Sequence, residues 1–141
     1  MRNFSTSVNV IATPAHVWEI LTNVERWAEW TPSVRRIERL DAAPLRVGSG
    51  VRIEQPKLRP ATWTVTEWQP EVAFTWVSRS PGLVAVAKHT IEHAAEGSRV
   101  TLTVQFDGLI APVVGLLTGS LTSKYLGLEA AGLKARCEGA N

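Results

Sequence analysis

The residues His89-Thr90-Ile91-Glu92-His93 spell H-x-x-E-H, the pattern with which inverted zinc peptidases hold a metal ion. That chemistry needs both imidazoles on one helical turn, about 6 Å apart, with the carboxylate beside the metal. The flanks here are strand sequence instead: Val84-Ala85-Val86 before the motif, and Val100-Thr101-Leu102-Thr103-Val104 after a turn at Gly97. On a strand, positions four apart lie about 13 Å from one another, and Glu92 points to the opposite face. His16 lies in a separate helical stretch and does not complete a ligand set. No metal and no cofactor are therefore expected.

His89 by itself is a different matter. Mid-strand and on the Ile91 face, an imidazole of ordinary pKa about 6.5 serves as acid or base. Paired with Tyr125, the chain's one tyrosine, it would polarise a carbonyl during an aldol-type cyclisation or dehydration. A lone histidine on an apolar face is more often a core residue hydrogen-bonded to a neighbour. His89 and Tyr125 are the catalytic candidates on the first reading. Cys137 has no activating context near it, no Ser-His-Asp order is apparent, and Gly48-Ser49-Gly50 lacks the G-K-[ST] of a phosphate loop.

The elements that must position these groups follow from periodicity. Phe4 to Val10 alternates apolar and polar residues, as a half-buried strand does. Thr13-Pro14 then supplies an N-cap and a first helical residue whose missing N–H costs nothing. Val17, Trp18, Ile20 and Leu21 give that helix one apolar stripe. A second short helical piece carries Trp27 and Trp30, which read as clamps holding the helices on the sheet edge or as ligand contacts. It stops at Pro32, because the residue before proline is pushed out of the helical region. From Val34 to Gly108 the period is two, with strands expected at Val34–Leu40, Val51–Gln55, Thr62–Trp68, Val72–Ser78, Val84–His93 and Arg99–Phe106. The short connections between them allow only antiparallel neighbours. A long helix from Pro112 to about Arg136 closes the chain, with Val114, Leu117, Leu121, Tyr125, Leu128 and Ala135 as its expected apolar stripe.

Strand, two short helices, six strands and a long helix have one sensible burial: the sheet curls around the terminal helix. That order resembles the SRPBCC or START-like superfamily, the helix-grip fold. The resemblance is carried by Ala12-Thr13-Pro14-Ala15-His16-Val17-Trp18, Trp27-Ala28-Glu29-Trp30-Thr31-Pro32, Val47-Gly48, and Gly97-Ser98-Arg99-Val100-Thr101. Within the superfamily the chain is most similar to the polyketide cyclase/dehydrase-like group. The resemblance implies an α+β fold in which a curved seven-stranded antiparallel sheet grips the helix, with a cavity between them. Members include birch-pollen-allergen-like proteins, lipid-transfer domains and activators of the Hsp90 chaperone, so the implied activity is ligand binding, cyclisation or a protein interaction.

Strand parity supplies wall residues for such a cavity. Ala85, Ala87, His89 and His93 share the Ile91 face, and Val100, Leu102, Val104 and Phe106 point inward from the last strand. Phe74 and Trp76 share a face, as do Trp63 and Val65. The candidate ligand-binding set is Trp63, Phe74, Trp76, His89, Ile91, Phe106, Leu117, Leu121, Tyr125 and Leu128. Gly115, Gly119, Gly127 and Gly132 on the long helix each cost up to about 1 kcal/mol against alanine. They leave room for a guest, or permit close approach of helix and sheet.

Composition excludes several classes. The chain has 141 residues, one cysteine and a formal charge of +2. Such a length reads as one domain spanning 1–141, burying about two-thirds of its surface without staples. A disulfide scaffold is impossible. The first residues lack the apolar stretch of a signal peptide, and the longest apolar run, Leu109 to Leu117, is far below the ~20 residues of a membrane span. Arg35, Arg36 and Arg39 are interleaved with Glu38 and Asp41, so no segregated basic stripe suggests nucleic acid. The expectation is a cytoplasmic monomer or homodimer that binds a hydrophobic small molecule, such as a lipid, polyketide or aromatic metabolite, for transport or sequestration. The alternative is a cyclase/dehydrase-type enzyme using His89 and Tyr125.

Overall fold

In the computed structural model, which describes residues 2–139, β1 (Arg2–Val10) leads into α1 (Pro14–Thr22) and a 3-10 segment (Val24–Glu29). Six strands follow: β2 (Arg36–Arg39), β3 (Gly50–Glu54), β4 (Ala61–Gln69), β5 (Ala73–Ser80), β6 (Leu83–Ala94) and β7 (Gly97–Asp107). The long helix α2 (Ala111–Glu138) ends the described chain. Thr13 caps α1 as its sequence implies, its hydroxyl accepting from the His16 amide at 3.2 Å. The strands form one antiparallel sheet in the order β1-β7-β6-β5-β4-β3-β2. Both the seven strands and their order around the terminal helix agree with the helix-grip architecture.

The inward parity holds along β6 and β7. Ala85, Ala87, His89 and Ile91 are buried, as are Val100, Leu102 and Phe106. His93 falls at the exposed end of β6, where the sheet is no longer covered. One register shift was not legible from alternation. Val65 faces Trp76 while Glu67 faces Thr75 and Trp68 faces Phe74, so β4 carries an extra residue at Thr66. The bulge returns Trp68 to the inner face, where its ring meets Trp18 at 5.0 Å and Phe74 at 5.8 Å.

The long helix departs most from expectation. Leu117 is 77% exposed and Ala135 is exposed, while Leu121 and Leu128 are half-buried. Of the expected stripe Tyr125 alone is buried, and the buried face runs through Ala111, Gly115, Tyr125, Leu126, Glu129, Ala130, Leu133 and Cys137. Apolar residues therefore point outward in the N-terminal half and inward in the C-terminal half. The stripe drawn through leucines follows composition, whereas the inner face at the N-terminal end is built from alanine, glycine and threonine.

Nor do the helix glycines make room for a guest. A Cβ at Gly132 would sit 1.9 Å from the Trp30 carbonyl oxygen, and one at Gly115 would meet the Arg2 side chain at 2.6 Å. Gly119 packs against the Phe4 ring, and Gly127 faces open space. Close approach is what these residues serve, chiefly at Gly132, where α2 passes over the end of the 3-10 segment.

Candidate functional site

α2 packs along β1, β7 and α1, at one side of the sheet rather than along its middle. The concave surface of β4, β5 and β6 is therefore left partly uncovered. A cavity of about 590 Å³ occupies that space. Its walls include Trp63 of β4, Trp76 of β5, Ala85 and Ala87 of β6, Leu102 and Phe106 of β7, and Leu126 of α2. Trp27, from the 3-10 segment, closes the inner end, with its ring 5.4 Å from Trp76 and 5.8 Å from His89. Its indole N–H donates to the Leu21 carbonyl at 2.9 Å, which fixes the ring in that position. Trp27 thus both clamps the helices and lines the cavity.

Among the lining residues Arg59, Pro60, Arg79 and Ser80 are exposed. The cavity accordingly opens between the loop at 55–60, the β5–β6 turn and the N-terminal half of α2, which contributes Val114, Thr118 and Thr122. Tyr125 lines the cavity, and its hydroxyl donates to the Pro56 carbonyl, tying α2 to the loop at the opening. That bond uses the phenolic proton, leaving the oxygen as an acceptor.

Of the ten residues inferred from sequence, Trp63, Trp76, His89, Phe106 and Tyr125 line the cavity. Phe74 and Ile91 point to the same side of the sheet but are packed into the core. Leu117, Leu121 and Leu128 are not brought to the cavity, for the reason given by the helix face above. Phe74 still matters, because its ring stacks on His89 at 4.1 Å and 8°.

The polar end of the cavity is His89 together with a residue not inferred from sequence, Glu129. His89 Nε2 lies 3.8 Å from Glu129 Oε1. Nδ1 of His89 lies 3.3 Å from the Phe74 carbonyl oxygen. A carbonyl only accepts, so the proton sits on Nδ1, and the Nε2 lone pair faces Glu129. Burial drives the His89 pKa down to about 4, opposed in part by the bond to Phe74. Burial likewise pushes Glu129 up to about 8. At neutral pH both groups are therefore uncharged: a carboxylic acid facing a bare imidazole nitrogen. The 3.8 Å separation would suit an ion pair, but desolvation of both groups favours the neutral forms.

Glu129 carried a faint signal. It stands three residues after Leu126 and four before Leu133, in register with the buried face of α2. A glutamate in a helix is ordinarily read as solvated, which is why the pattern passes over it. Cys137, near the helix end, is buried with its thiol pKa raised to about 11 by that burial and by Glu138, so it is a poor nucleophile. The H-x-x-E-H residues lie on a strand, with His89 inside and Glu92 and His93 exposed. Among the described residues no three His, Cys, Asp or Glu side chains gather as metal ligands would. No described helix is long and apolar enough to cross a membrane.

A family model described as "Polyketide cyclase / dehydrase and lipid transport" matches residues 1–138. Among solved structures, a START superfamily protein from Mycobacterium smegmatis is 14% identical with a TM-score of 0.79, covering 99% of both chains. A hypothetical protein from Helicobacter pylori is 14% identical with a TM-score of 0.82, over 97% of this chain and 88% of that one. The Aha1 dimer from Colwellia psychrerythraea is 16% identical with a TM-score of 0.70, over 98% of this chain and 97% of that one. No curated protein matches the chain.

Proposed function

The chain belongs to the polyketide cyclase/dehydrase and lipid transport family, and from that premise we propose that it binds a hydrophobic small molecule in the cavity beneath α2. The observation that carries this reading is the space itself: about 590 Å³, walled by Trp27, Trp63, Trp76, Leu102 and Phe106. Sites for small molecules typically enclose about 300–1,000 Å³ and combine apolar walls with a few polar groups. Here those groups include Glu129 and His89 inside, Thr118 and Thr122 on the helix, and Arg59 and Arg79 at the opening. Aromatic walls suit a flat or isoprenoid-like guest, since indole and phenyl faces bury large apolar areas.

A second reading, a cyclase/dehydrase-type enzyme, is favoured by one observation: the bare Nε2 of His89 faces the cavity as a general base would. Tyr125 is its proposed partner in the cavity; with the phenolic proton committed to the Pro56 carbonyl, its oxygen positions the substrate by accepting a hydrogen bond. Native mass spectrometry of protein purified without organic extraction tests the first reading by identifying a co-purifying guest. Titration of apolar probes against the fluorescence of the cavity tryptophans tests it independently. If the purified protein is empty and its fluorescence is unmoved across a lipid and polyketide panel, the binding reading fails. Turnover of a bound polyketide that falls about 100-fold or more in His89→Gln would establish the second.

A further inference from the structure

Glu129 is 8% exposed, lies in the cavity wall, and makes no hydrogen bond to another described residue. Buried polar groups are almost always paired, and a carboxyl that borders a cavity without a partner is the natural place for a guest's polar group. The polar atom that its carboxyl approaches, His89 Nε2, stands at 3.8 Å, beyond hydrogen-bond reach. Both groups therefore have an unused valence directed into the same space, and the two valences are of opposite kind. The neutral carboxyl offers a proton. The imidazole nitrogen, its tautomer fixed by the Phe74 carbonyl, offers a lone pair.

From this juxtaposition we infer that the guest is a hydroxyl-bearing apolar molecule, its hydroxyl seated at the inner end of the cavity between Glu129 and His89. A hydroxyl oxygen accepts from the carboxyl and its proton goes to Nε2, so one functional group satisfies both. A ketone or ether oxygen would satisfy Glu129 and leave Nε2 bare. A carboxylate would be buried without a cation, because Arg59, Arg79 and Lys88, the cations of the lining, are all exposed. The Phe74 ring stacked on His89, and Trp27 and Trp76 around it, hold the imidazole still and exclude water that would compete for the same bonds. The inference rests on the binding reading above and narrows it to phenols, enols and alcohols.

The test compares three probes of one shape, 4-hexylphenol, 4-hexylanisole and hexylbenzene, on the wild-type protein by tryptophan fluorescence and calorimetry. The phenol is expected to bind at least tenfold more tightly than the ether, because the ether cannot donate to Nε2. In His89→Phe, which removes the acceptor and keeps an aromatic ring against Phe74, the phenol is expected to lose most of that preference over the ether. In Glu129→Leu, which removes the donor that both oxygens use, phenol and ether are both expected to weaken toward hexylbenzene. Glu129→Gln, which keeps an N–H donor, is expected to retain the preference. Equal affinity of phenol and ether for the wild-type protein overturns the inference, as does a preference undiminished in His89→Phe; either result leaves hydrophobic binding intact. Failure of all three probes to bind the folded protein overturns the binding reading and this inference together.

Discussion

Replacing Glu129 by glutamine should make the protein more stable, by an amount that grows with pH. In the unfolded chain the carboxyl ionises near its ordinary value of 4.5, whereas burial delays ionisation in the native protein to about 8. Below pH 4.5 both states hold the proton and neither is penalised. Between 4.5 and 8 the native state keeps a proton that the unfolded chain has released, so each rise in pH favours unfolding. Above 8 both states are ionised and the penalty is constant. The stability of the wild-type protein is therefore greatest in acid with respect to this group and is lost as pH rises through 8. At about 1.4 kcal/mol per pH unit, the penalty is under about 1 kcal/mol at pH 5, about 3 at pH 7 and about 5 at pH 9. An amide has the same shape and no charge to bury. Urea denaturation followed by tryptophan fluorescence reads the difference directly. With a slope of about 2 kcal/mol per molar urea, the Glu129→Gln midpoint should lie about 1.5 M above wild type at pH 7. Profiles for the two proteins that run parallel from pH 5 to 9 would refute the reasoning, since they would mean that the carboxyl is solvated in the native state.

Three further outcomes follow from other parts of the fold. His89, held neutral until about pH 4 against an ordinary 6.5, stabilises the native state above 6.5. That contribution is lost as pH falls through 4, so in the Glu129→Gln background His89→Gln should remove about 3 kcal/mol of acid destabilisation, read from urea midpoints at pH 6.5 and 4. Gly132→Ala drives a methyl into the Trp30 carbonyl and should cost about 3 kcal/mol or more, whereas Gly127→Ala meets nothing and should gain up to about 1 kcal/mol; thermal melts of the two variants, with shifts of opposite sign, check the assignment of the helix faces. Tyr125→Phe frees the Pro56 carbonyl and should release the loop at 55–60 by about 1 kcal/mol, seen as roughly fivefold faster tryptic cleavage at Lys57 and Arg59 with the core still protected.

What could be read from the sequence divides along a physical line. Strand identity was legible because turns announce themselves: Pro81-Gly82 and Glu96-Gly97 bracket β6, and Thr13-Pro14 begins α1. The short connections then left only antiparallel neighbours, and parity placed Trp63, Trp76, His89 and Phe106 on the face where the cavity lies. The bulge at Thr66 escaped, since one inserted residue changes no composition and yet turns Trp68 to the other side. The face of α2 escaped for a deeper reason. A pattern rule assumes that the inward side of a helix is the apolar side, because packing requires it. A helix that roofs a cavity obeys that rule only where it touches the sheet. Over the cavity its inward positions are Thr118, Thr122 and Glu129, which line the space proposed for a guest, while Leu116 and Leu117 are left in solvent. The lost amphipathicity of α2 is thus itself a signature of the site. A long helix with leucines on every side and a glutamate in register with its buried residues is out of agreement with packing, and such disagreements concentrate where a protein gives up stability for a function. The glutamate that the pattern discards is the residue on which the proposed hydroxyl site rests.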